Sequence, residues 1–139
     1  RDPRFVAGAG ATEIELAQRL QKFGESVPGL DQYAIKKFAE SLEVVPRILA
    51  ENAGMKSTDT ISSLYAAHQS GKSTYGINIE NGELACAASE LSVFDSYLVK
   101  AWAIKLATDV ATTVLNVDQI VMNKMAGGPK IPQMGNRDA

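Results

Sequence analysis

The sequence has few of the residues on which most catalytic and metal sites depend. Its 139 residues include one cysteine, Cys86, and one histidine, His68. One cysteine cannot form an internal disulfide, which favours a reducing compartment such as the cytosol. One histidine without a companion ligand matches neither the spacing of a zinc site nor a histidine-based nucleophilic triad. We therefore predict no catalytic residues and no metal site in this chain. We expect His68 to be partly exposed in the last turn of a helix.

The charge balance and the short hydrophobic runs argue against two further classes. With 14 basic and 16 acidic residues the net charge is -2, so there is no electrostatic basis for binding nucleic acid or an anionic membrane. No apolar run approaches the roughly 20 residues that span a bilayer, and no secretory signal stands at Arg1. Hydrophobic residues make up 45% of the chain, as in an ordinary globular protein. We expect one cytoplasmic domain or a part of one, with no nucleic acid and no membrane as partner.

A loop of small residues near the start of the chain is the strongest local signal for a ligand. Phe5-Val6-Ala7 leads into Gly8-Ala9-Gly10, after which Thr12 can cap the following helix and Glu13 suits its positive N-terminal end. A small-residue loop that leads into a helix N-terminus suits the binding of an anion or a nucleotide. The patterns G-x-G-x-x-G and G-x-x-x-x-G-K-[ST] are both absent. On local chemistry alone, a turn that simply starts a helix is therefore the favoured interpretation.

Hydrophobic residues recur at helical spacing through most of the chain. The pattern predicts helices over about 13–23, from 31 to a break near Pro46, from there to Gly54, over 57–69 and over about 96–115. In the last of these helices, a buried stripe is expected. Its members lie four residues apart: Leu98, Trp102, Leu106, Val110 and Val114.

The extended segments are short. Asn81-Gly82 lies between two of them and predicts a β-hairpin with residues 75–79 as its first strand. Residues 83–89 are also compatible with a short helix. The β-branched segment 117–122 predicts a strand whose partner lies outside this chain, because an unpaired apolar strand is a liability. We therefore predict a mainly α fold with a short β-hairpin and a C-terminal β-strand.

Seven segments, in one order along nearly the whole chain, resemble the group II chaperonins, the TCP-1 family that includes the eukaryotic cytosolic chaperonin TRiC/CCT. The resemblance implies that residues 1–124 are the C-terminal portion of a helical chaperonin equatorial domain, which binds ATP. It also implies that residues 125–139 form a flexible C-terminal tail. The segments that carry the resemblance are Val6–Ala17, Gln32–Glu40, Ile48–Gly54, Tyr75–Asn78, Trp102–Thr108, Val117–Met122 and Ala126–Lys130.

The resemblance assigns a nucleotide role to the small-residue loop. In chaperonins a glycine-rich turn packs against the sugar and base of the nucleotide, which implies the same role for Gly8, Ala9 and Gly10. The family usually has three successive glycines there, and Ala9 replaces the middle one. Its methyl group is expected to narrow the pocket or to hinder a positive φ.

A second cluster implied by the resemblance lies in the second half of the chain. The family holds the adenine edge and the ribose hydroxyls with residues that match Gly76, Ile77, Asn78 and Asp95. A carboxylate that accepts hydrogen bonds from vicinal hydroxyls is chemically sensible, as in dinucleotide sites. Asp95 is therefore the expected ribose ligand.

The resemblance implies a subunit of an ATP-dependent chaperonin that assists the folding of cytosolic proteins such as actin and tubulin. Related subunits form a double ring, eight to each ring, and the cofactor is ATP or ADP with Mg²⁺. The family's Gly-Asp-Gly-Thr-Thr phosphate motif and its metal-binding aspartates have no match here. We therefore predict that this chain supplies the base-and-ribose side of the nucleotide pocket and subunit contacts, and that it does not hydrolyse ATP alone. The alternative is a non-catalytic helical scaffold or interaction module with no nucleotide role.

Overall fold

The computed structural model describes residues 2–87, 89–119, 121–122 and 127–128. The chain divides into two compact units, residues 1–104 and 105–139. The described elements are, in order, β1 (Phe5–Ala7), α1 (Ala11–Ser26), α2 (Asp31–Leu42), α3 (Val44–Asn52), α4 (Ser57–Gln69), β2 (Tyr75–Ile77), β3 (Leu84–Cys86), β4 (Phe94–Ser96) and α5 (Tyr97–Leu115). The mainly α fold predicted from the sequence is confirmed.

Two antiparallel strand pairs stabilise the first unit. β2 pairs with β3 and forms the predicted hairpin, in which Gly82 adopts a φ of 74° at the turn. A helix over residues 83–89 is therefore wrong, because Leu84–Cys86 is engaged in this ladder. β1 pairs with β4, with Val6 opposite Asp95, and the sequence did not predict this pair. The β1–β4 ladder carries Asp95 to the segment that precedes α1.

The core of the first unit forms where α1, α3, α4 and β2 meet. Ile14, Leu64 and Ile77 are almost fully buried, and burying such a side chain contributes about 1.5–3 kcal/mol. Ala50 and Ile61 complete this cluster. Because Ile14 lies on the first turns of α1 and Ile77 ends β2, the core fixes the starting point of α1 against the hairpin.

The helix boundaries correct several details of the sequence prediction. Thr12 does not cap α1: Gly10 is the N-cap, and the Thr12 hydroxyl donates a hydrogen bond to the Ala7 carbonyl at 2.6 Å. Gly24 lies within α1 rather than ending it. The break near Pro46 is confirmed, since α2 ends at Leu42 and α3 starts at Val44. Gly54, with a φ of 74°, follows α3 as expected for a residue after a helix end.

The predicted burial of the α5 stripe is wrong for this chain. Leu98 and Trp102, in the first unit, are 41% and 51% exposed. In the second unit Leu106, Val110 and Val114 are likewise exposed. An apolar stripe predicts that a helix face packs, but it does not identify the element that covers it.

The C-terminal strand does not form among the described residues. Residues 117–119 and 121–122 have no regular structure, and Ile120 lies outside the described part of the chain. A strand needs a neighbour to satisfy its backbone hydrogen bonds, and the sequence analysis predicts that this neighbour lies outside the chain. Most of the predicted tail over 125–139 also lies outside the described residues, so the C-terminal strand and the tail both remain predictions.

Candidate functional site

A pocket of about 620 Å³ lies between the small-residue loop, α3, the β2–β3 hairpin and the segment that leads into β4. Five of the seven residues that the resemblance assigned to a nucleotide line it. They are Ala9, Gly10, Ile77, Asn78 and Asp95. Residues far apart in sequence therefore converge on one cavity of a size typical for small-molecule sites.

Gly8 and Gly76 do not line the pocket, but they contact Val93 and Ala9, which do. The Gly8 amide donates a hydrogen bond to the Val93 carbonyl at 3.1 Å, and a Cβ on Gly8 would lie 2.7 Å from Val93 Cγ1. A Cβ on Gly76 would lie 2.7 Å from both Cβ and the carbonyl oxygen of Ala9. The Ile77 amide then donates to that Ala9 oxygen at 2.9 Å. These glycines allow three backbone segments to approach one another closely.

Ala9 adopts the left-handed conformation that its methyl group was expected to hinder. Its φ is 53°, and Gly10 follows with a φ of 80°. This conformation costs an L-residue roughly 1–2 kcal/mol, which the surrounding hydrogen bonds and packing offset. At Gly10 glycine is required, because a Cβ would lie 2.9 Å from Cβ of Pro46. The alanine is therefore compatible with the left-handed backbone conformation that the loop adopts at this position.

Most of the pocket wall comes from residues that no local sequence pattern marks. Val45 and Leu49 come from α3 and are one helical turn apart, but only the packing of α3 beside Gly10 places them here. The remaining apolar wall residues are Ile79, Leu91 and Val93, and the missed charged residues are Glu80, Glu90 and Lys100. Apolar walls that alternate with polar side chains suit a flat heterocycle with polar edges.

Three charged side chains connect the pocket to the start of α1. The Lys100 ammonium lies 3.1 Å from Oδ2 of Asp95 and donates a hydrogen bond to Oε1 of Glu13. Glu13 is only 4% exposed. Burial lowers the pKa of Lys100, but the hydrogen bonds to Glu13 and Asp95 outweigh it, so its pKa is raised above the usual value. Lys100 is therefore a firmly charged group beside the predicted ribose ligand.

His68 is buried, which corrects the prediction of partial exposure. It is 4% exposed, its Nδ1 lies 2.9 Å from Oε2 of Glu15, and its Nε2 lies 2.8 Å from the Tyr75 carbonyl oxygen. The last turn of α4 is thereby tied to α1 and to the first residue of β2. His68 acts in the framework of the hairpin and does not line the pocket.

The contact between Glu15 and His68 predicts a change in acid stability. Burial raises the pKa of Glu15, but hydrogen bonds from His68 and Arg19 outweigh it, so its pKa is lowered below the usual value. These contacts therefore stabilise the fold above the unfolded-state pKa of about 4.3, and the contribution is lost as the pH falls through the folded pKa. We expect Glu15→Gln to be less stable than the parent at pH 7 and to lose less stability than the parent below about pH 5.

Urea unfolding at a series of pH values measures this effect. Glu25→Gln, an exposed position of the same helix, is the matched control and should follow the parent. Parallel acid limbs for Glu15→Gln and the parent would contradict the assignment.

Among the described residues, no group of three or more His, Cys, Asp or Glu side chains is placed to hold a metal ion. Within the same residues, no helix has the length and hydropathy that crossing a membrane requires. The polar chemistry that the described pocket offers is therefore that of Asp95, Asn78, Glu80, Glu90, Lys100 and the loop backbone.

Comparison with known proteins gives consistent matches. A model of the TCP-1/cpn60 chaperonin family matches residues 1–125. Theta subunits of T-complex protein 1 from Mus musculus and Homo sapiens are each 56% identical over 140 residues, which covers 99% of this chain and 25% of each relative. The theta subunit from Dictyostelium discoideum is 52% identical over 139 residues, or 100% of this chain and 26% of that relative. The chain thus spans about a quarter of the length of these relatives.

A solved structure gives the same result at the level of the fold. The open-state monomer of a group II chaperonin from Methanococcoides burtonii superposes with a TM-score of 0.78 at 35% identity. The superposition covers 81% of this chain and 28% of that one.

Proposed function

This chain belongs to the TCP-1/cpn60 chaperonin family, and we propose that residues 1–124 are the C-terminal portion of the equatorial domain of an ATP-dependent subunit. Its similarity to theta subunits of T-complex protein 1 confirms the relationship predicted from the sequence. In the proposed full-length subunit, this portion supplies the base-and-ribose side of the nucleotide pocket. The subunit uses ATP or ADP with Mg²⁺ and assists the folding of cytosolic clients such as actin and tubulin.

The observation that carries this proposal is the convergence of Ala9, Gly10, Ile77, Asn78 and Asp95 on one pocket. Apolar side chains of α3 and of the segment before β4 offer surfaces for a base. The Asp95 carboxylate offers an acceptor for vicinal hydroxyls. The small residues of the loop let a ligand approach the backbone.

The charges of the pocket suit the base and the ribose of a nucleotide better than its phosphates. Glu80, Glu90 and Asp95 all line it, and Lys100, the one cation among the described lining residues, faces Asp95 and Glu13. A triphosphate would meet net negative charge here, whereas hydroxyl and amino groups would meet acceptors. We therefore propose that the phosphates and Mg²⁺ are held by other parts of the subunit, and that this chain alone does not hydrolyse ATP.

The apolar surface supports a second role in assembly. Exposed side chains of α5, such as Leu98 and Trp102, and the exposed Val117, Val121 and Met122 favour burial against protein outside this chain. In the proposed particle, a double ring with eight subunits in each ring, residues 117–122 add a strand to a sheet shared with other subunits. The proposed location is the cytosol. The same apolar surface also favours the alternative, a helical scaffold with no nucleotide role.

Hydrogen exchange of the full-length subunit with and without ATP and Mg²⁺ separates the two functions. At saturating ATP, we expect amides in residues 8–10, 76–79 and 91–95 to exchange up to about tenfold more slowly. The reason is that a bound ligand stabilises the folded arrangement of the pocket. Asp31–Leu42, which contributes no lining residue, is the internal control. Unchanged exchange in all three segments would favour the scaffold.

A further inference from the structure

We propose that Lys100 is a positioning residue of this site, which holds the Asp95 carboxylate for ribose recognition and is itself anchored by the buried Glu13. The inference rests on the proposed nucleotide function. It adds a specificity role for a residue that lines the pocket beside the predicted ribose ligand.

The geometry around Asp95 leaves one of its two oxygens for a ligand. Oδ2 lies 3.1 Å from Nζ of Lys100, and it is also packed 3.3 Å from the point where a Cβ of Gly8 would stand. An ionised carboxylate accepts hydrogen bonds at both oxygens. With Oδ2 engaged by the ammonium, Oδ1 is available to ribose hydroxyls.

The anchor for the ammonium is deeply placed. Glu13 lies on the first turn of α1, directly behind the small-residue loop, and is 4% exposed. Its Oε1 accepts a hydrogen bond from Lys100, while Oε2 has no hydrogen-bond partner in the described part of the chain. A buried carboxylate with so few partners depends on a nearby cation. Glu13 thus fixes Nζ of Lys100 at one position, and Lys100 links α5 and β4 to the start of α1.

The surrounding charges make this link necessary for Asp95. Glu80 and Glu90 line the same pocket, and their like charges would favour rotation of the Asp95 carboxylate toward solvent. Asp95 itself is half-buried in β4, and its pairing with Val6 holds its backbone in place. The ammonium supplies both an opposite charge and a defined hydrogen-bond direction. Substrate discrimination at the ribose is therefore a property of the pair Asp95 and Lys100.

Binding of ATP and of 2′-deoxy-ATP and 3′-deoxy-ATP to the full-length subunit tests the proposal. For the parent, loss of a hydroxyl that bonds to a carboxylate should weaken binding about tenfold or more. For Lys100→Met we expect ATP affinity to fall about tenfold while deoxy-ATP affinity changes less than about twofold, so the ratio approaches one. A purely structural effect would weaken all three ligands equally. Lys100→Arg should restore much of the discrimination, and Lys22→Met, at an exposed position of α1, should behave as the parent.

A double variant distinguishes loss of ribose recognition from misfolding of Lys100→Met. Lys100→Met leaves the buried Glu13 carboxylate without its cation, whereas Glu13→Gln combined with Lys100→Met removes both charges. The double variant should fold and should still bind ATP and the deoxy nucleotides with a ratio near one. If either variant keeps the parent's ratio of ATP affinity to deoxy-ATP affinity, the role of Lys100 is wrong, while the proposed nucleotide site is unaffected. A parent that binds all three nucleotides equally would overturn the ribose role of Asp95 and Lys100, whereas a parent that binds no ATP would overturn both proposals.

Discussion

Gly76→Ala should reduce the affinity of the full-length subunit for ATP at least about tenfold. The new methyl group would lie 2.7 Å from both Cβ and the carbonyl oxygen of Ala9, so the backbone of the loop has to move. That movement breaks the hydrogen bond from the Ile77 amide to the Ala9 oxygen, now 2.9 Å long. Overpacking costs about 1–3 kcal/mol, and the loss of a buried hydrogen bond costs a similar amount. Because Ala9 and Ile77 both line the pocket, the cost falls on the site itself.

Calorimetric titration with ATP measures this effect, and Gly29→Ala is the matched control. Gly29 has a φ of 87° with no atom within 4 Å of an added Cβ, and it lies in the loop between α1 and α2. The control therefore adds a methyl group and the cost of an alanine in the left-handed conformation, about 1–2 kcal/mol, without a steric clash. We expect Gly29→Ala to lower stability and to keep parental ATP affinity. ATP affinity of Gly76→Ala within twofold of the parent would show that the loop and hairpin do not form the site together.

Asp95→Ala should weaken ATP binding about 10- to 100-fold. Hydrogen bonds to a charged acceptor contribute about 1.5–3 kcal/mol each, and the variant removes the carboxylate that we propose for the ribose hydroxyls. The strand should persist, because Asp95 pairs with Val6 through backbone groups. Lys100 keeps its bond to Glu13 and its charge. The loss should therefore appear in nucleotide affinity with little change in unfolding temperature.

Two further variants define the origin of that loss. Asp95→Asn preserves the shape and one acceptor oxygen, so we expect an intermediate affinity. Asp59→Ala, in the first turn of α4 and outside the pocket lining, removes the same charge elsewhere. It should reduce helix stability slightly and leave ATP affinity unchanged. If Asp95→Ala and Asp59→Ala bind ATP equally well, Asp95 is not a ribose ligand.

The sequence predicted those parts of the fold and site that depend on neighbouring residues. Small residues before a helix start marked the loop at Gly8–Gly10, and Asn81-Gly82 marked the hairpin turn. Both signals are local, since positive φ values and helix starts are set by a few consecutive residues. Asp95 came from resemblance to the chaperonins. The structure places it at the pocket through a β1–β4 pair that no local pattern indicates.

The parts that the sequence missed depend on distant partners. Lys100 and Glu13 are 87 positions apart, and His68 and Glu15 are 53 apart. A lone histidine in a polar helix turn predicts exposure, but two acceptors on opposite sides of the ring permit its burial. The α5 stripe was predicted to be buried and is exposed. Its apolar spacing is correct, but the surface that would cover it is not among the described elements of this chain. Periodicity determines which face packs, and tertiary contacts determine where.

We propose that residues from the loop, the hairpin and β4 form the base-and-ribose side of one nucleotide site. The most direct test is an experimental structure of the full-length subunit with ADP and Mg²⁺. We predict that the ribose hydroxyls lie within about 3 Å of the Asp95 carboxylate. The base should contact Leu49 and Ile77, and the phosphates should point away from Glu80 and Glu90. A nucleotide bound elsewhere, or one whose phosphates occupy the pocket of Asp95 and Lys100, would contradict the account.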